Sequence, residues 1–229
     1  MRTVEGIAVE GMDVEELRAM GAGRGNPVRG RLNAWLLRTL DAYQHRKLGP
    51  VKREAFGGLP RTVVELGAGT GANLRYLAPG TRVIAIEPNR HMHPHLAAAA
   101  RRWGVHLDVR TAAAERLPLP DASVEAVISS LVLCTVRDPA AVLAEVRRVL
   151  RPGGRLWCVE HVRAPEGTAI AAIQRAVARP WRWLFEGCEH RDVAGLLRAA
   201  GFASVEVEPL RISTAFVPIR TAISAVALR

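Results

Sequence analysis

Lysine is almost missing from this chain: Lys47 and Lys52 are its only two, although lysine and arginine together number 32 and the formal net charge is +10. The basic residues are scattered, and aromatic residues make up only 5% of the sequence. Diffuse arginine without interleaved stacking rings excludes a concentrated nucleic-acid footprint and reads as compositional bias. Cysteine is scarce too. Cys134, Cys158 and Cys188 are an odd number with no CxxC spacing, which argues against a disulfide framework and a structural zinc site. Cys158 falls in an expected strand and reads as core. No run approaches the roughly 20 apolar residues of a membrane span. The first 20 residues are acidic and lack an apolar signal region, so the cytoplasm is the expected compartment. His91, His93 and His95 alternate, yet no carboxylate or cysteine set accompanies them. Pro94 marks them as a solvated helix start, and no metal is expected. Internal repeats and low-complexity segments are absent.

The 229 residues suit one sizeable α/β domain. Residues 1–30 hold a short amphipathic stretch, Val14 to Met20, and the glycine-rich run Gly21 to Pro27, which reads as a flexible entry or lid. A single domain is expected over 31–229. Leu32, Trp35, Leu36, Leu40 and Tyr43 recur at helical spacing, with Arg29, Arg31, Arg38 and Arg46 on or near the other side. This basic amphipathic helix is expected to pack across the top of a sheet. A membrane surface is the alternative.

The segment Val63-Val64-Glu65-Leu66-Gly67-Ala68-Gly69-Thr70-Gly71-Ala72-Asn73 places glycines and an acid where a buried strand turns toward a helix. Glycine lets such a turn close tightly and lets a ligand approach the backbone. Gly67, Gly69 and Ala72 also satisfy the dinucleotide spacing GxGxx(G/A), a weak match by itself. Glu65 tilts the reading, because a carboxylate two residues before the first glycine opposes a pyrophosphate and suits a cationic ligand such as S-adenosylmethionine. Twenty residues beyond Gly67, the apolar run Arg82 to Ile86 ends at Glu87, where an acid accepts hydrogen bonds from both ribose hydroxyls. Two acidic strand ends make one nucleoside site.

Strands are expected near 62–66, 82–86, 105–109, 124–130 and 154–160, with helices near 72–78, 92–103, 112–116 and 138–150. The alternation implies a parallel sheet with helices on both faces. After residue 165 the pattern gives a helical stretch from Thr168 to Phe185, a break at Gly187, a helix from Arg191 to Ala200, and strands near 203–208 and 214–228.

The glycine turn, Glu87, the segment Ala114-Glu115-Arg116-Leu117-Pro118-Leu119-Pro120-Asp121 and the helix closing on Arg151-Pro152-Gly153-Gly154 occur in order. In this the chain resembles the class I S-adenosylmethionine-dependent methyltransferases, strongly over residues 50 to 165. The resemblance implies a Rossmann-like seven-stranded sheet with the last strand inserted antiparallel. It implies S-adenosylmethionine held by Glu65, Gly67, Ala68, Gly69 and Gly71, with Glu87 and Pro88 at the ribose. Met92 falls where similar enzymes pack the adenine face, with a core methionine as the equal alternative. Ala114 and Glu115 match the segment that reads the adenine edge, and Ser130 joins the cofactor set.

The loop Ser129 to Cys134 carries neither the Asn/Asp-Pro-Pro-Tyr run of amino-methylating nucleic-acid enzymes nor a Pro-Cys nucleophile, which leaves a small-molecule acceptor. A closer resemblance, to the methyltransferase-like thiol S-methyltransferases, rests on Lys52 to Phe56, Leu131 to Cys134, Glu160-His161-Val162 and Arg179 to Cys188. It implies an acceptor pocket from Tyr43, Leu131, Trp181, Trp183, Phe185 and His190, with Glu189 nearby. His161, beyond the fifth strand, is either the base or a structural residue. The animal members carry an apolar membrane anchor at the N-terminus; no such run is read here, so membrane attachment is not expected. Methylation of a lipid headgroup amine or quinone stays open, as does a nicotinamide-dependent dehydrogenase on the same sheet.

Overall fold

Thr62–Leu66 carries β-branched and apolar side chains at consecutive positions, a composition suited to a strand covered on both faces. It forms β1 and is buried from Val63 onward. The computed structural model describes residues 27–184, 187–214 and 217–229. The expected entry segment before Pro27 and the candidate Phe185 lie outside the described residues.

β2 (Arg82–Ile86), β3 (His106–Arg110), β4 (Val124–Ser130), β5 (Leu150–His161), β6 (Ser204–Arg211) and β7 (Thr221–Leu228) complete a seven-stranded sheet in the order β3-β2-β1-β4-β5-β7-β6. β1 to β5 pair in parallel, and β7 runs antiparallel between β5 and β6. The expected Rossmann-like sheet is therefore present. β5 begins earlier than expected because Leu150 already pairs with Val124, and the register shift that follows absorbs the glycine turn, where Gly153 has φ +77. β7 begins later than expected, since Val217–Ile219 winds into a 3-10 turn.

The helices among the described residues are α1 (Pro27–Phe56), α2 (His93–Trp103), α3 (Pro139–Val149), α4 (Ala169–Ala176), α5 (Ala178–Leu184) and α6 (Val193–Ala199). α3 starts where Asp138 accepts hydrogen bonds from the Ala140 and Ala141 amides, a cap worth about 1 kcal/mol. The helix expected at 72–78 shrinks to a 3-10 turn, Leu74–Tyr76. The one expected at 112–116 is a turn, because the chain there is tied to α3. Glu145 accepts the Leu117 amide, and Arg148 donates to the carbonyls of Leu117 and Leu119.

α1 corrects the amphipathic reading. Its C-terminal half packs on the core through Leu48 and Phe56, but Leu32 and Trp35 are 43% and 57% exposed. Small residues make the inward contact of the N-terminal half. Asn89 Nδ2 donates to the Gly30 carbonyl, a Cβ on Gly30 would stand 3.0 Å from the His91 ring, and Ala34 four residues on is buried. So close an approach turns the larger side chains outward. Among the described residues no helix is long and apolar enough to cross a membrane.

Candidate cofactor and acceptor site

The turn after β1 is left-handed at Gly67 (φ +53), Gly69 (φ +55) and Gly71 (φ +82). A Cβ on Gly67 would stand 2.7 Å from Val132 Cγ2, and one on Gly71 2.7 Å from Ala99 Cβ. On Gly69 the nearest atom would be the Gly67 carbonyl oxygen, 3.8 Å away. Gly67 and Gly71 are thus fixed by packing, while Gly69 presents its bare backbone to open space. Glu87 closes β2 against this turn. Its Oε2 accepts the Gly69 amide at 2.8 Å and its Oε1 the Asn89 amide at 2.7 Å. Eighteen residues of sequence separate two groups that share one hydrogen bond.

Beneath the turn runs a buried polar chain. Lys52 Nζ, from α1, donates to Asn73 Oδ1 at 2.9 Å, and Asn73 Nδ2 donates to Glu65 Oε1 at 2.7 Å. Glu65 Oε2 is buried and has no hydrogen-bond partner among the described residues. Burial raises the Glu65 carboxyl to about 7 against the pull of Asn73 and Lys52. Burial likewise lowers Lys52 to about 8, opposed by Glu65 and Glu160. A buried carboxylate oxygen in want of a donor, under a turn whose central residue leaves room for a ligand, fits a nucleoside carrying a cationic end. S-adenosylmethionine is such a group.

The ends of β4 and β5 form the adjoining wall. Glu160 Oε1 accepts from Ser129 Oγ at 2.7 Å, from the Val132 amide at 3.0 Å and from the Leu133 amide at 3.2 Å. Burial raises this carboxyl, and the same three bonds hold it down. Between those amides and Ser130, Leu131 sits at φ +61, a strained conformation for a branched residue. Ser130 Oγ is buried without a partner among the described residues.

Beyond these strand ends lies a cavity of about 350 Å³ whose wall includes Arg163, Gln174, Arg182, Cys188, Glu189 and His190. His161 is buried, and Cys188 lies within hydrogen-bonding reach of both the His161 and Trp181 side chains. Cys188 Sγ also stands 3.5 Å from Cys134 Sγ. The contact with Cys134, joined by those with His161 and Trp181, lowers the Cys188 thiol below its usual range, and the same contact with burial raises Cys134. The His190 ring tilts against Trp181 with centroids 5.8 Å apart, and burial lowers its pKa.

Of the expected site residues, Glu65, Gly67, Ala68, Gly69, Gly71 and Glu87 come together at one turn, and Leu131, Trp181, His161 and His190 surround the adjoining wall. Trp183 does not join them. It is 68% exposed, because α5 turns Trp181 inward and a residue two positions from it falls on the opposite side. Tyr43 hydrogen-bonds Thr214. Glu115 accepts the Arg137 amide at 2.9 Å, bracing the loop after β4. Met92 is enclosed at 1% exposure and Ala114 is buried, while Pro88 is exposed. His93, one of the alternating histidines, bonds the Glu87 carbonyl at 2.9 Å. Sequence reasoning missed Asn73, the Lys52 link and the bracing role of Glu160. The one available signal was a lysine held in a chain that otherwise uses arginine.

Residues 64–158 match a family model described as a methyltransferase domain. The thiol S-methyltransferase TMT1B of Rattus norvegicus is 34% identical over 186 residues, covering 76% of each chain. The human thiol S-methyltransferase TMT1A is 33% identical over 180 residues, covering 73% of each. A solved S-adenosylmethionine-dependent methyltransferase from Thermotoga maritima, titled a possible histamine N-methyltransferase, superposes with a TM-score of 0.63 at 21% identity, covering 87% of this chain and 99% of its own. The last supports the fold. With the glycine turn, its two acids and the relatives' coverage on one chain, the protein belongs to the class I S-adenosylmethionine-dependent methyltransferases, in the family of the thiol S-methyltransferases.

Proposed function

We propose that this methyltransferase acts on a small thiol, accepted in the cavity beyond β4 and β5. The observation that carries the reading is that Cys188 and His190 line that cavity while the buried His161, which ends β5, lies within hydrogen-bonding reach of Cys188. The relatives named for thiol methylation support it. S-adenosylmethionine supplies a methyl group on a sulfonium, open to in-line displacement by a nucleophile. In this reading Gly67, Ala68, Gly69 and Gly71 hold the methionine portion, and Glu65 Oε2 takes its ammonium. Glu87 takes the ribose hydroxyls, with Pro88, Ala114, Glu115 and Ser130 around the adenine end. Glu160 fixes the loop from which Leu131 faces the acceptor. His161 accepts the acceptor's proton, and the enzyme otherwise works by position.

Glu87→Ala is expected to weaken S-adenosylhomocysteine binding by about 1.5 to 3 kcal/mol, the range for losing a charged hydrogen-bond partner. Titration calorimetry measures this, and unchanged affinity in the folded variant would remove Glu87 from the site.

Binding should also move a proton. With the Glu65 carboxyl at about 7, about half of it is protonated at pH 7. A cation arriving at Oε2 lowers that pKa, so the carboxyl ionises and protons are released. Calorimetry of S-adenosylmethionine binding at pH 7 in two buffers of different ionisation enthalpy should show a net release that Glu65→Gln lacks. Identical heats in both buffers count against the contact.

The acceptor reading predicts a pH signature. A free thiol has a pKa of about 8.5, so turnover at subsaturating thiol should rise with pH up to that value. His161→Ala should slow turnover about 10²-fold at neutral pH, with part of the loss recovered at high pH where thiolate is abundant. A panel of thiols, amines and phenols followed by mass spectrometry decides the class. Methylation of amines or phenols and of no thiol defeats the reading.

A further inference from the structure

The structure assigns a modification site to Cys134 and Cys188: we propose that hydrogen peroxide joins them in a reversible disulfide that pins the cavity wall to the loop after β4. The two sulfurs, 54 residues apart in sequence, lie 3.5 Å from each other, and a disulfide needs about 2.05 Å, so closure takes a small rotation. Their backbones are already fastened. The Glu189 amide donates to the Cys134 carbonyl at 2.7 Å, and Arg191 Nη1 to the Leu133 carbonyl at 3.2 Å. Gly187, at φ +94, precedes Cys188. Cys188, 5% exposed, lines the cavity, the side from which a small oxidant would reach it.

The pair is chemically asymmetric. Cys188 lies against Cys134, His161 and Trp181, contacts that favour its thiolate, whereas Cys134 stays a thiol. The Cys188 thiolate attacks the peroxide, takes one oxygen as the O–O bond breaks, and becomes a sulfenic acid, while the departing hydroxide takes up a proton as water. The Cys134 sulfur then displaces the sulfenic oxygen, the S–S bond forms, and a second water leaves. Two thiols and one peroxide thus give one disulfide and two waters. Reduction runs by exchange, two molecules of external thiol leaving as their own disulfide. Cys158, buried inside β5 with no cysteine beside it among the described residues, is the internal control.

The effect on turnover rests on the acceptor reading above, whereas the cross-link does not. The whole protein is treated with stoichiometric hydrogen peroxide, denatured, alkylated with iodoacetamide and digested without reductant. The expected product is a Cys134–Cys188 peptide pair two hydrogens lighter, with Cys158 alkylated and Cys188 labelling reduced about tenfold or more. Cys188→Ser should form no cross-link, and Cys134→Ser should leave a sulfenic acid at Cys188 that dimedone traps. Bound S-adenosylhomocysteine reports that each variant is folded. Full alkylation of both cysteines after peroxide, or preferential oxidation of Cys158, overturns the site. Oxidised enzyme diluted into S-adenosylmethionine and an alkyl thiol should show a lag absent from reduced enzyme, and full rate from the first time point overturns the control of turnover. Failure of both forms to methylate any thiol would defeat the acceptor reading, and the mass measurement judges the cross-link independently.

Discussion

Gly69→Val is expected to raise the dissociation constant for S-adenosylhomocysteine about a hundredfold or more, equivalent to about 2.7 kcal/mol. Two effects combine. The native residue sits at φ +55, where an L-residue is strained by about 1–2 kcal/mol and a β-branched one by more. The new side chain also projects where the chain itself offers nothing nearer than the Gly67 carbonyl at 3.8 Å, so it fills the ligand's space and leaves the fold's packing alone. Relaxing the strain would move the Gly69 amide off Glu87 Oε2. Gly80 is the control: it too is left-handed, at φ +82, and a Cβ there meets nothing within 4 Å. Gly80→Val should lose stability and keep affinity. Calorimetry with both variants separates the two effects, and a folded Gly69→Val protein that binds as wild type contradicts the placement of the cofactor on this turn.

Glu160→Ala should lower the unfolding free energy by about 3 to 4 kcal/mol, because three buried donors lose one acceptor together. Ser129 Oγ and the amides of Val132 and Leu133 have that carboxylate as their shared partner. Glu160→Gln keeps an acceptor oxygen in place and should recover most of the loss. Turnover should drop in the alanine variant even under conditions where it remains folded, since the loop carrying Leu131 then loses the carboxylate that anchors its next two amides. Urea denaturation of the two variants tests the first expectation and a methylation assay the second. An alanine variant as stable as the parent would show that water replaces the carboxylate at these donors.

The central strands were legible because their burial on both faces demands uninterrupted β-branched and apolar runs, and the glycine turn because only glycine tolerates three left-handed positions so close together. Glu87 followed from spacing alone. Contacts that join distant segments left no such trace. Nothing local marks Cys134 and Cys188 as neighbours, or Lys52 as the partner of Asn73, because the fold and not the spacing brings them together. α1 failed differently. Helical periodicity identified an apolar stripe through Leu32 and Trp35, but the helix approaches the loop after β2 through Gly30 and Ala34, and a hydrophobic pattern gives no weight to small residues. Trp183 failed for a related reason: an aromatic-rich segment announces a pocket, while the turn of a short helix decides which ring enters it.

The fork by which Arg148 ties the chain after β3 to α3 is one of several stitches of the same kind. Arg110 donates to the Pro118 carbonyl, Arg147 to Ala200, Arg191 to Leu133, Arg220 to Thr214 and Arg229 to Leu150. Each binds a stretch of irregular chain through a planar group with several fixed donors, which an ammonium cannot reproduce. These arginines therefore serve as thread between loops and not as a field aimed at a partner. Recoding this protein with lysine would keep its net charge and its isoelectric character while cutting those threads one by one.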